Sequence, residues 1–170
     1  MKPSARLVAV AEIVREGLGS KLLSAGYQGG DILCLEVDRS DLLSTCRYLR
    51  DTPELGFDYL SCVCGVDMVS HILMVYHLHS VPNRLSAQLK VKTDARKPVV
   101  DSVSAIWPTA NWHERETFDM LGVDFGGHPN LERLLLAEDF VGYPLRRNYL
   151  LPRRRWPHGK TVEEGGQADG

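Results

Sequence analysis

Between residues 71 and 92 the chain alternates twice, and this pattern constrains the fold most. In HILMVYHLHS (71–80), Ile72, Met74, Tyr76 and Leu78 fall on one side. In LSAQLKVK (85–92), Leu85, Ala87, Leu89 and Val91 point one way, and Ser86, Gln88, Lys90 and Lys92 the other. A period of two is that of a half-buried strand. Pro82-Asn83 lies between the segments, so an antiparallel pair joined by a tight turn is expected. FDYLSCVCGVDM (57–68) is apolar nearly throughout and reads as a third, central strand.

Helical spacing surrounds this block. Leu7, Val8, Val10, Ile13, Val14, Leu18 and Leu22 predict a helix over 4–23, broken by Gly26, Gly29 and Gly30. DILCLEV (31–37) predicts a strand. Ser40 is placed to cap a helix over 41–50, with Pro53 beyond its end. Pro98 opens a patch that reads as helical, 99–107, closed by Pro108. A further helix is expected over 111–121, with Asn111 and Glu114 as a capping pair and Gly122 as its C′ residue. Glycine and proline then become frequent, and TVEEGGQADG reads as disordered.

Helices and strands do not alternate in βαβ units. The expectation is therefore α+β: two layers, a mixed or largely antiparallel sheet packed by helices, and an irregular C-terminal arm. A domain over 1–142 and an extended arm over 143–170 that docks on a partner account for all 170 residues.

Composition excludes more than it assigns. The formal net charge is −2 and charged residues make up 25%, the balance of an ordinary globular protein. The N-terminal segment is amphipathic and does not read as a secretion signal. No run approaches the roughly 20 apolar residues of a membrane span. Cys34, Cys46, Cys62 and Cys64 form no C-x-x-C pair, which suits free thiols in a reducing compartment.

Three chemistries merit weighing. Glu116 and Asp119 lie three apart on a helix and share a face, as an acid–base pair requires, with His128 following. No nucleophile elbow or phosphate loop accompanies them, and helical acids commonly serve the helix dipole. His113 and Glu116 have usable metal spacing, but the zincin pattern needs His where Thr117 stands. The pairs His77/His79 and Cys62/Cys64 supply two ligands each, where structural zinc takes four. From 140 to 162 there are six basic residues, Arg146, Arg147, Arg153, Arg154, Arg155 and Lys160, and no acid. Such an arm can follow a phosphate backbone. However, residues 112–139 hold seven acids against Arg115 and Arg133, a neighbour ill suited to nucleic acid. Arginine interleaved with Leu145, Tyr149, Leu150, Leu151 and Trp156 is the composition of a protein interface.

The span 112–149, WHERETFDMLGVDFGGHPNLERLLLAEDFVGYPLRRNY, resembles the signature of the 30 kDa family, the C subunit of the proton-pumping NADH:quinone oxidoreductase, complex I. It also resembles the equivalent subunit of the photosynthetic NAD(P)H dehydrogenase. The hallmark residues are Glu114, Arg115, Glu116, Asp119, Met120-Leu121, Gly127-His128-Pro129 and Pro144-Leu145-Arg146. Glu132 and Asn148 depart from it, replacing a usual basic residue or proline and a usual acid.

The resemblance implies a cofactor-free accessory subunit, with FMN and iron–sulfur clusters in partner chains. It would be peripheral, on the cytoplasmic face of the membrane. It would pack against the hydrogenase-like large subunit, near the iron–sulfur subunits, in a machine passing electrons from NADH to quinone. Glu114, Glu116 and Asp119 would order the GGHP turn and accept bonds from Arg115 and Arg133 or from a partner. Arg146 and Arg147 would anchor the arm on the hydrogenase-like subunit. Membrane-bound hydrogenases and ferredoxin- or F420-linked complexes use similar subunits. The alternatives of other classes are a hydrolase built on Glu116, Asp119 and His128, and an RNA-binding arm.

Overall fold

The computed structural model describes residues 3–150. The expectations for 151–170, a disordered tail and the basic cluster Arg153–Arg155, lie outside the described residues.

Helix α1 (Ala5–Leu18) begins where the Ser4 hydroxyl accepts the N–H of Leu7 at 3.2 Å. It buries Leu7, Val10, Ala11, Val14 and Leu18. It stops five residues short of the expected end, because Gly19 takes φ +52 and a single 3₁₀ turn follows. Leu22 onward is then extended, as strand β1 (Leu22–Gln28). Its sequence, LLSAGYQ, carries no alternation to announce it. Gly29 and Gly30, at φ +63 and +90, turn it into β2 (Ile32–Val37).

Helix α2 (Leu42–Asp51) buries Leu42, Thr45, Cys46 and Leu49. Ser40 does not cap it. Both the N–H and the hydroxyl of Ser40 donate to Asp38, which starts a 3₁₀ turn leading into the helix. The Tyr48 hydroxyl donates to the Ile13 carbonyl and ties α2 to α1.

Strands β3 (Tyr59–Asp67), β4 (His71–Ser80) and β5 (Leu85–Asp94) complete a five-stranded sheet of order β1-β2-β5-β4-β3. All pairs are antiparallel except β2 with β5. The mixed sheet and the β4–β5 pairing agree with expectation, and Ile72, Met74, Tyr76 and Leu78 are fully buried. The central position expected for β3 does not hold: it is an edge strand. It is apolar because α3 (Ala110–Leu121) packs on it. Gly65 permits the approach, since a Cβ there would lie 2.6 Å from Leu121.

The helical patch expected over 99–107 is also corrected. Val99–Asp101 is a short strand, β6, parallel to β7 (Asp124–Gly126). The Thr93 hydroxyl engages both the N–H and the C=O of Val99, holding it extended. Val100, Val103, Ile106 and Trp107 all reach the core, so a strand followed by a turn imitates helical spacing. Around α3 the chain thus forms one small βαβ unit, which the expected topology lacked. Helix α3 ends at Gly122 in the left-handed region, as the sequence predicts. At its other end the capping pair does not form: Thr109 stands before the helix, and Glu114 turns into the core.

Candidate functional site

The residues of the signature converge around α3, and its two buried acids take mostly backbone partners. Glu114 has no exposed surface. Its carboxyl accepts the Ser102 hydroxyl at 2.6 Å and the Val103 N–H at 2.8 Å. It therefore closes the β6–α3 connection from inside. Burial pushes this carboxyl up to about 7, against the opposing pull of those two bonds.

His128 lies beside it, with Nε2 3.9 Å from the Glu114 carboxyl and no exposed side-chain surface. Both ring nitrogens already have backbone partners. Nε2 faces the Asn111 carbonyl at 3.2 Å, and Nδ1 accepts the N–H of Asn130 at 3.1 Å. That assigns the proton to Nε2, so the contact with Glu114 is not an ion pair. His128 pins the turn that follows Gly127 (φ +78), while Pro129 is exposed.

Asp119 is the second buried acid. Its Oδ2 accepts three successive N–H groups, from Leu134, Leu135 and Leu136, at 3.0, 2.7 and 2.9 Å. Its Oδ1 lies 3.5 Å from Arg133 Nη1. Neither of those two atoms has another hydrogen-bond partner, so each is the other's counterpart. Burial raises this carboxyl, but the three N–H groups and Arg133 outweigh it and hold it below the usual aspartate range. A loop without regular structure is thereby fastened to α3 by one side chain.

The expected bonding of the acids to Arg115 and Arg133 holds only for Asp119 with Arg133. Arg115 stands 5.1 Å over the Trp112 ring and donates to the Glu132 carbonyl. Glu116 is exposed and is not brought together with Asp119. The grouping that a hydrolase needs from Glu116, Asp119 and His128 is therefore not assembled. Among the described residues no three His, Cys, Asp or Glu side chains converge as a metal site.

The start of the arm lies on the chain's own body. The Leu145 N–H donates to the Met120 carbonyl at 3.2 Å. The Arg146 guanidinium donates to the carbonyls of Leu121 and Ala95. The N–H of Arg147 donates to Asp67 at 3.0 Å. Arg146, expected to anchor the arm on a partner, thus anchors it on α3 and the β5–β6 connection. The boundary expected at 142/143 is correspondingly blurred. Pro144 immediately precedes these fastenings, and the side chain of Leu145 projects outward, the residue being 61% exposed. Sequence reasoning missed Ser102, Asp67 and Tyr143. None belongs to a motif, and only the fold places them beside Glu114, Arg147 and Gly122.

The family model for the respiratory-chain NADH dehydrogenase 30 kDa subunit matches residues 35–155. The chain belongs to that family. It is 44% identical over 142 residues to the NADH-quinone oxidoreductase C subunit of Roseiflexus sp. (strain RS-1), covering 82% of this chain and 81% of that one. To the corresponding C subunit of Herpetosiphon aurantiacus it is 40% identical over 129 residues, covering 74% and 75%. A solved trypsin-resistant fragment of Nqo5 superposes with a TM-score of 0.63 at 25% identity, over 74% of this chain and 99% of the fragment. The fold also recurs in a chain of an archaeal membrane-bound sulfane sulfur reductase, with a TM-score of 0.74 at 21% identity, over 92% of this chain and 99% of that one. The 30 kDa family match runs from β2 into the arm and leaves out α1 and β1. No helix among the described residues is long and apolar enough to cross a membrane.

Proposed function

We propose that this member of the 30 kDa family is a cofactor-free accessory subunit of the quinone-reducing arm of complex I. It docks on the hydrogenase-like large subunit, near the iron–sulfur subunits, on the cytoplasmic face of the membrane. It supports electron transfer from NADH to quinone, coupled to proton translocation, by holding that module together. One observation carries this reading. Residues 134–150 are fastened from inside by Asp119 and Arg146, yet they present Leu135, Val141, Leu145 and Leu150 at 64, 85, 61 and 88% exposure. Exposed apolar side chains on a segment already fastened to the body suit a docking surface, and the fastening lowers the ordering entropy that opposes binding.

The test is purification of the tagged chain from gently solubilised membranes. Recovery of the hydrogenase-like and iron–sulfur subunits, with iron–sulfur absorbance, supports the reading. The input-module proteins in the same sample identify the electron donor. A chain recovered alone refutes it.

A further inference from the structure

Beside the apolar strip is a groove of different chemistry. It encloses about 630 Å³ between the β3–β4 turn, the β5–β6 connection and the arm, and Val69, Arg96, Tyr143 and Arg147 are among its walls. Arg146 also lines it, but its guanidinium is engaged by backbone carbonyls. Asp67 is the acid in the lining, and both its oxygens are occupied: Oδ1 by the N–H of Val69 at 2.7 Å, Oδ2 by the N–H of Arg147 at 3.0 Å. Those two bonds hold its carboxyl below the usual aspartate range. Among the described residues, the guanidinium groups of Arg96 and Arg147 form no ion pair. The groove is therefore basic, with its one acid already committed to the backbone.

Val69 adds a second signal. It is a β-branched residue at φ +70, and it is 67% exposed. That backbone region strongly disfavours branched side chains. The tight β3–β4 turn holds it there, through the Val69 N–H to Asp67 and the Met68 N–H to the His71 carbonyl, and this leaves the Val69 side chain presented at the rim of the groove.

We infer that this groove receives an acidic segment of a partner polypeptide, with Asp or Glu carboxylates on Arg96 and Arg147 and an apolar side chain against Val69 and Tyr143. Charge complementarity selects the carboxylates, since planar guanidinium groups bind them bidentately. The apolar walls favour a peptide over a free anion. The inference rests on the docking reading above and names the chemistry of the partner at one edge of that surface.

The experiment uses the tagged full chain in solubilised membranes, with Arg96→Lys or Arg147→Lys introduced and a water-soluble carbodiimide added. The carbodiimide takes up the elements of water and becomes a urea, while a lysine amine and a carboxylate become an amide. Mass spectrometry then identifies the joined peptides. The expected result is an amide between position 96 or 147 and an Asp or Glu of another subunit. In a parallel preparation, the double reversal Arg96→Glu with Arg147→Glu lowers recovery of that subunit about tenfold or more, with the melting temperature of the chain unchanged. Cross-links only to Glu163, Glu164 or Asp169 of the same chain overturn the inference, because the chain's own tail is then the occupant. Recovery of the partner undiminished by the double reversal also overturns it. Failure of the wild-type chain to bring down any other protein of the complex overturns the docking reading itself, and this inference with it.

Discussion

The Oδ2 atom of Asp119 accepts the N–H of Leu135 at 2.7 Å, between the matching bonds to Leu134 and Leu136. One helical carboxylate thereby organises a loop that carries exposed Leu135 on its other side. Asp119→Asn keeps an acceptor but removes the charge opposite Arg133. Weakening the charge-assisted bonds to three N–H groups and to a partly exposed guanidinium costs about 1.5–3 kcal/mol. The variant is expected to unfold at distinctly lower denaturant concentration, as followed by circular dichroism. The pH dependence carries the same sign. A carboxyl held low contributes stability above the usual aspartate range, and that stability is lost as pH falls through its folded value. Asp119→Asn loses this acid-side dependence.

Glu114 behaves in the opposite sense. Its carboxyl is raised from its ordinary value near 4.5 to about 7, so the folded state holds a proton that the unfolded state releases. The contribution of Glu114 is therefore greatest below about 4.5 and declines as pH rises to about 7, by on the order of 3 kcal/mol. Glu114→Gln imitates the protonated form: its carbonyl accepts from Val103 and its amide donates to Ser102. The variant is expected to match wild type at pH near 4 and to exceed it near 8. Denaturant titrations at both values check this, and a variant less stable at both refutes the assignment.

Gly122 serves the helix and the arm together. It takes φ +69 after α3, and a Cβ there would stand 2.4 Å from the Tyr143 ring. Gly122→Ala should therefore strain the helix end and displace Tyr143, at a cost of about 1–3 kcal/mol. Limited proteolysis is expected to cut within 140–150 faster in this variant than in wild type.

Much of this arrangement is legible in the sequence, and the failures have physical causes. The β4 and β5 faces are readable because one side of each strand is wholly buried and the other mostly only partly, so Ile72 to Leu78 and Leu85 to Val91 alternate, with Val75 and Gln88 the buried exceptions. Gly122 is readable because the left-handed region favours glycine. Strand β1 is not, since an edge strand with a partly exposed face needs no alternation. Val99 to Trp107 imitates a helix because tertiary burial, and not local period, selects its apolar positions. The signature acids stand out in the sequence, but their direction does not. Glu114 and Asp119 point inward and Glu116 outward, and motif spacing does not encode which of them acquires backbone partners.

Arg146 shows the same limit. Its guanidinium spans the Leu121 and Ala95 carbonyls, which requires a planar fork. Arg146→Lys is therefore expected to fall short of wild type in arm protection against protease, and Arg146→Ala to lose it. Equal protection in all three proteins contradicts the anchoring role.

The buried acids and Arg146 turn inward, while Leu135, Val141, Leu145 and Leu150 are exposed, and the proposed docking assigns those four to a partner. Leu150, at 88% exposure, separates the two roles. The most direct measurement compares Leu150→Asp with wild type for melting temperature and for the proteins recovered with the tagged chain. The expected result is an unchanged melting temperature and recovery of the hydrogenase-like partner reduced about tenfold or more, as for loss of an interface anchor. Undiminished recovery from a normally folded variant contradicts the division.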